Sequence, residues 1–112
     1  MKSNLALIFL LFFSFSTYAQ KHTDNFAGKW KSADGHIITV TKIKNGFIGT
    51  SGSKKTVVLS NVKFENGKWI GYVSNPIKKE AGPCELFLEP NRIKIIAYKG
   101  LLFKTIYWTK VH

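Results

Sequence analysis

Beyond residue 25, apolar and polar positions alternate in short runs separated by turn residues. That period of two marks half-buried strands, and no stretch of the region carries the 3.6-residue period of an amphipathic helix. Cys84, Leu86 and Leu88 fall on one face of a run over 84–88, with Glu85 and Glu89 on the other. Over 92–98, Ile93, Ile95 and Ala97 oppose Arg92 and Lys94. The same reading predicts strands at 28–31, 36–44, 47–51, 56–64, 68–74 and 101–110. Breaks fall at Asp34-Gly35, Asn45-Gly46, 52–55, Asn66-Gly67, a basic loop over 77–83, Pro90-Asn91 and Lys99-Gly100. Asn-Gly tolerates the positive φ angles of a two-residue type I′ turn, so Asn45-Gly46 is the sharpest hairpin signal, and Asn66-Gly67 makes a second.

About eight antiparallel strands joined by short turns predict an all-β, up-and-down barrel of the calycin or lipocalin kind. Two strands resist phasing, because 36–44 and 56–64 place apolar residues on both faces. The expected inward set is Trp30, Ile43, Phe64, Trp69, Leu86, Leu88, Ile93, Ile95, Phe103 and Tyr107. With several aromatic side chains inside a shallow barrel, the interior is expected to be largely packed, without a lipocalin-sized cavity.

The first nineteen residues are of another character. Lys2 supplies a positive start, residues 5–15 form an apolar run, and Thr17 and Ala19 are small residues at the places a signal peptidase reads. The run is about half the ~20 apolar residues of a membrane-spanning helix. A secretory signal over 1–19 is therefore expected, cleaved after Ala19, followed by a polar, flexible arm over 20–25 and a barrel domain over 26–112. The mature protein would be exported, to the periplasm or beyond, with no transmembrane segment. One cysteine in the whole chain rules out an intramolecular disulfide framework.

Charge changes the picture next. The chain carries 17 Lys and Arg against 6 Asp and Glu, and Lys2 is the sole charge of the leader. Lys42, Lys44, Lys54, Lys55, Lys78 and Lys79 could present a positive surface to an anionic partner. Arg92 is the only arginine, which argues against nucleic acid, whose readers depend on the planar bidentate guanidinium.

Gly28-Lys29-Trp30 followed by Asp34-Gly35 resembles the G-x-W opening of the calycin barrels, a group including lipocalins, fatty-acid-binding proteins and avidins. Trp69-Ile70-Gly71 with Pro76, and the closing Trp108-Thr109-Lys110, make the chain similar from about residue 26 to residue 111 to an uncharacterised secreted bacterial family, number 2147 among the domains of unknown function. The loop after Pro76 keeps Gly82 but lacks the aromatic residue common there. Gly28, Trp30, Gly71, Pro76, Trp108 and Lys110 are the structural signature this resemblance implies, with Trp30 as a barrel plug and Lys110 lying across it. It implies no activity. Residues 26–49 also resemble an avidin hairpin, but Ser32 and His36 stand where biotin-binding Asn and Ser are expected, and the Tyr expected near Thr50-Ser51 is missing.

Candidate chemistry is sparse. Cys84 shares a face with Leu86 and Leu88, a setting that raises a thiol pKa. His22, His36 and His112 are scattered, so no metal or cofactor is expected. Glu85 and Glu89 are about 13 Å apart along a strand, too far for paired-carboxylate catalysis. The expectation is a non-catalytic binding or envelope-accessory module, meeting an anionic envelope component or a small apolar ligand. Recognition would lie at one open end or on the basic outer wall, with Trp69, Tyr72, Lys78 and Lys79 as candidate contacts. A lipocalin-like carrier of a small hydrophobic ligand is the alternative, and an envelope enzyme using Cys84 a more distant one.

Overall fold

The computed structural model describes residues 20–76 and 78–112; the secretory signal expected over 1–19 lies outside them. Eight strands follow one another: β1 (Gly28–Lys31), β2 (Ile37–Ile43), β3 (Gly46–Ser51), β4 (Thr56–Glu65), β5 (Lys68–Asn75), β6 (Glu80–Glu89), β7 (Arg92–Lys99) and β8 (Leu102–Lys110). Each pairs antiparallel with its neighbour, and β8 returns to β1, so the sheet closes into an up-and-down barrel. Among the described residues no helix is long and apolar enough to cross a membrane. Closure leaves no long exposed edge to pair with another chain. The closing seam is nevertheless short: Trp30 faces Lys110, Lys31 faces Thr109, and the Val111 amide donates to the Lys29 carbonyl at 3.0 Å.

The alternation read from the sequence sets most of the interior. Leu86 pairs with Ile95 and Trp69, and Ile93 pairs with Trp108, all of them buried. The inward phase of β8 is the opposite of the expected one. Trp108 takes the inner face beside Ile93, which turns Phe103 and Tyr107 outward. Tyr107 is held on the outer wall by the Arg92 guanidinium, 4.2 Å from its ring centroid. Ile43 is also exposed, because Ile38 and Val40 claim the inner face of β2 and leave odd positions outside. Phe64 and Leu88 point inward but are only partly covered.

Strand β4 resists a period-two reading because its register against its neighbours slips twice. Gly49 faces Leu59 and Thr50 faces Val57, so Val58 is an extra residue; a second irregularity lies between Ser60 and Lys63, where Asn61 adopts φ 52°. Such bulges let Val58, Leu59 and Val62 all be buried. The second bulge drives Val62 toward both neighbouring strands. A Cβ on Gly46 would sit 1.6 Å from the Val62 carbonyl oxygen, and one on Gly71 would sit 2.9 Å from Val62 Cγ2.

That crowding also moves the first hairpin. Ile43 pairs with Gly46, so the two turn residues are Lys44 and Asn45, and neither has positive φ. Gly46 is needed for the close approach to β4 and is the first residue of β3. At Asn66-Gly67 the expected turn does form, with φ 53° and 77°. Strand β6 starts at Glu80, inside the stretch expected as loop. Its ladder with β5 runs from Glu80, but its ladder with β7 begins only at Cys84. Pro83, which has no N–H to donate, stands where the ladder with β7 ends, although the Tyr98 carbonyl oxygen still packs closely on Gly82.

Candidate functional site

Alternate loops of an up-and-down barrel share an end, and the two ends here differ in kind. At the first, Phe26, Phe47, Phe64 and Trp69 form an edge-to-face cluster with ring centroids 5.3–5.5 Å apart. The arm lies across this cluster. Trp69 Nε1 donates to the Lys21 carbonyl at 2.7 Å, the Gln20 side chain bonds both the Trp69 amide and Glu85, and His22 meets the edge of Phe64. Lys21 and Asp24 close the arm into a turn through reciprocal bonds of 3.0 Å. A polar hexapeptide is thus tied down by partners distant in sequence, which its own composition could not show.

At the second end the barrel is hollow. A cavity of about 460 Å³ opens among the β1–β2, β3–β4, β5–β6 and β7–β8 loops. Its apolar lining includes Ile38, Val58, Val73, Ile106 and Trp108. A second cavity of about 290 Å³ lies beside it, next to the end of the β6–β7 ladder, and both touch Val73, Asn75, Lys104 and Ile106. The interior is therefore packed over part of its length, not largely packed as expected. In this half the inner face pairs Ser51 with Ile38 and Gly82 with Val73, so each branched aliphatic meets a small residue across the ladder. The larger cavity lies within the ~300–1,000 Å³ typical of small-molecule sites.

Polar groups gather at its mouth. Ser32 and His36 bond across the β1–β2 loop, the Ser32 amide to the His36 carbonyl at 2.9 Å and the His36 amide to Ser32 Oγ at 3.2 Å. The Lys78 amide donates to Asn75 Oδ1 at 3.3 Å, shaping the β5–β6 loop. Lys104 faces Ala97 on the inner side of β8 and lines both cavities. It belongs to neither ion pair found among the described residues, Lys63–Glu65 and Arg92–Glu89. An apolar floor under lysine ammonium groups suits a ligand with an apolar body and an anionic group.

The four candidate contacts are not brought together. Lys78 lines the larger cavity, and Lys79 is exposed on the same loop. Trp69 is buried in the aromatic cluster at the opposite end, and Tyr72 stands on the outer wall facing Pro83. Trp30 is buried, bonds the Phe26 carbonyl through Nε1 at 2.9 Å, and lines neither cavity. Lys110 is opposite Trp30 in register but exposed, and the cations found over rings are Arg92 on Tyr107 and Lys94 on Phe87. Lys104 escapes the sequence reading because Phe103 and Tyr107 set the expected phase of β8; the phase of Trp108 places Lys104 inward.

Cys84 is buried, and desolvation pushes its thiol up to about 12, against a smaller opposing effect of a backbone hydrogen bond with Gly71. It is a thiol at neutral pH and lines neither cavity. His22 and His36 lie at opposite ends, and no group of three metal-capable side chains occurs among the described residues. The fold and the half-hollow interior together define a closed eight-stranded β-barrel with one open end. Compared with known proteins, the chain matches no family model, no curated protein and no solved structure.

Proposed function

We propose that the chain is an exported, non-catalytic binding module of the calycin-like, domain-of-unknown-function family it resembles, and that its open end takes a small molecule with an apolar body and an anionic group. One observation carries this reading: the apolar cavity of about 460 Å³ with Lys78 and Lys104 in its lining. Burying an apolar body there gains roughly 25 cal/mol per Å² removed from water. The lysines add attraction to the anionic end.

Titration calorimetry with decanoate, and with decanol as its neutral counterpart, tests the reading. The expected result is saturable one-to-one uptake of decanoate, weakened about tenfold by Lys104→Gln, as loss of one charge contact of about 1.4 kcal/mol would give. Decanol uptake should be insensitive to that substitution. Absence of saturable uptake of either compound by folded protein would overturn the reading.

A further inference from the structure

The β7–β8 hairpin leaves its apolar tip in solvent. Gly100 takes the first turn position with φ 62°, the type II′ geometry, and throws Leu101 to the apex. Leu101 is 104% exposed, Leu102 74%, Phe103 69% and Tyr98 40%. These four residues belong to one hairpin tip, with Tyr98 paired to Phe103 across it, Lys99 between Tyr98 and the turn, and Lys104 following Phe103. Isolated exposed apolar residues need no explanation, but a contiguous protruding set marks an interaction surface.

The surroundings of the tip say what kind. The β3–β4 loop at the same end carries Lys54 and Lys55, and the β5–β6 loop carries Lys78 and Lys79, all exposed. With Lys99 and Lys104 that makes six lysines around the open end, against Asp34 and Glu80 there. A protein partner would need acidic and apolar groups matched to this rim; an anionic bilayer offers both everywhere on its surface. Long lysine side chains reach headgroups while their stems stay in apolar surroundings, and a tyrosine suits the interface between them.

We infer that the open end docks on an anionic lipid bilayer. Leu101, Leu102 and Phe103 enter the boundary between headgroups and acyl chains, Tyr98 sits at headgroup level, and the loop lysines neutralise anionic headgroups. The mouth of the cavity then faces the membrane. This inference does not rest on what the cavity holds.

Flotation of the protein with vesicles of phosphatidylcholine alone, or of phosphatidylcholine with one-third phosphatidylglycerol, tests it. Wild type and variants share one N-terminus, verified by mass, so any leader contributes equally to all. Binding to the anionic vesicles is expected to exceed binding to neutral ones by more than about tenfold, and to fall by about as much in half-molar salt. The triple variant Leu101→Ser, Leu102→Ser, Phe103→Ser should lose at least about tenfold on anionic vesicles. Lys54→Gln, Lys55→Gln, Lys78→Gln and Lys79→Gln together should remove the salt-sensitive part. Lys42→Gln with Lys44→Gln, which lie toward the other end, should change binding by less than either set. Circular dichroism checks that each variant keeps the strand spectrum.

Equal vesicle binding by wild type and folded tip variant would overturn the inference. So would light scattering that shows a wild-type dimer dispersed by the tip substitutions, which would make the hairpin a contact between copies of this chain. Because decanoate uptake and flotation are read separately, either proposal can fail while the other stands.

Discussion

Trp69 donates its indole N–H to the carbonyl of Lys21, 48 residues earlier in the chain, and so fastens the arm across the filled end of the barrel. The same indole stacks edge-to-face with Phe26, Phe47 and Phe64. One side chain therefore joins the core to its cover.

Trp69→Phe separates these roles. The ring contacts survive in reduced form while the bond to Lys21 is lost, with an expected destabilisation of about 1–2 kcal/mol from one hydrogen bond and some lost area. Trypsin should then cut after Lys21 faster than in wild type, measured by mass spectrometry under native conditions.

Gly46 and Gly71 flank the bulge in β4, and neither has room for a methyl group beside Val62. Gly46→Ala should destabilise by about 3 kcal/mol or more, because the obstacle is backbone. Gly71→Ala should cost less, about 1–3 kcal/mol, since part of its obstacle is a side chain. Urea unfolding checks the order, and Gly71→Ala combined with Val62→Ala should recover part of the clash.

Cys84 makes stability depend on pH in the alkaline range. Its pKa rises from an ordinary value near 9 to about 12 on folding, so below pH 9 both states hold the proton and the contribution is constant. Above pH 9 the unfolded chain releases its proton first, and stability falls by about 1.4 kcal/mol per pH unit until pH passes about 12. Cys84→Ala should remove that slope in urea unfolding followed from pH 8 to 11. At pH 7 the folded thiolate fraction is about one in 10⁵, so a thiol reagent should modify Cys84 only as fast as the barrel opens.

The two halves of the interior should respond oppositely to changes in size. Leu86, fully buried among Trp69 and Ile95, should cost about 2–5 kcal/mol when cut to Ala. Val58 borders the hollow, so Val58→Leu should be neutral or stabilising by up to about 1 kcal/mol, the worth of one buried methylene. Thermal unfolding of both variants decides whether the open half has the space described.

Regular strands were legible because one residue in two had to face the core. Cys84, Leu86, Ile93 and Ile95 carry that signal cleanly and were placed correctly. Where β4 bulges, the count resets, so Val58, Leu59 and Val62 could not be phased from alternation. Gly46 reads as a turn residue because the pressure of Val62 on it comes from a bulge in the next strand, which the residues of the turn do not record. The cavity was illegible for a related reason. It depends on which small and large residues end up opposite one another, and on where the β6–β7 ladder ends, neither of which a single strand records. Lysines at the mouth were visible as a charge excess, but only the register of β8 picks out Lys104.

The short seam between β1 and β8 sets an order of assembly. Every other strand pair is brought together by a nearby turn or loop, whereas Lys31 meets Thr109 across 78 residues of chain. The entropy of closing so long a loop is spent before two register pairs return anything. All eight strands can thus zip through seven consecutive pairings as a curled sheet, with the seam last to close and first to part. When it parts, the bared edges of β1 and β8 become the surface on which one chain could recruit another, and the clasp's strength sets how rarely that edge is on offer.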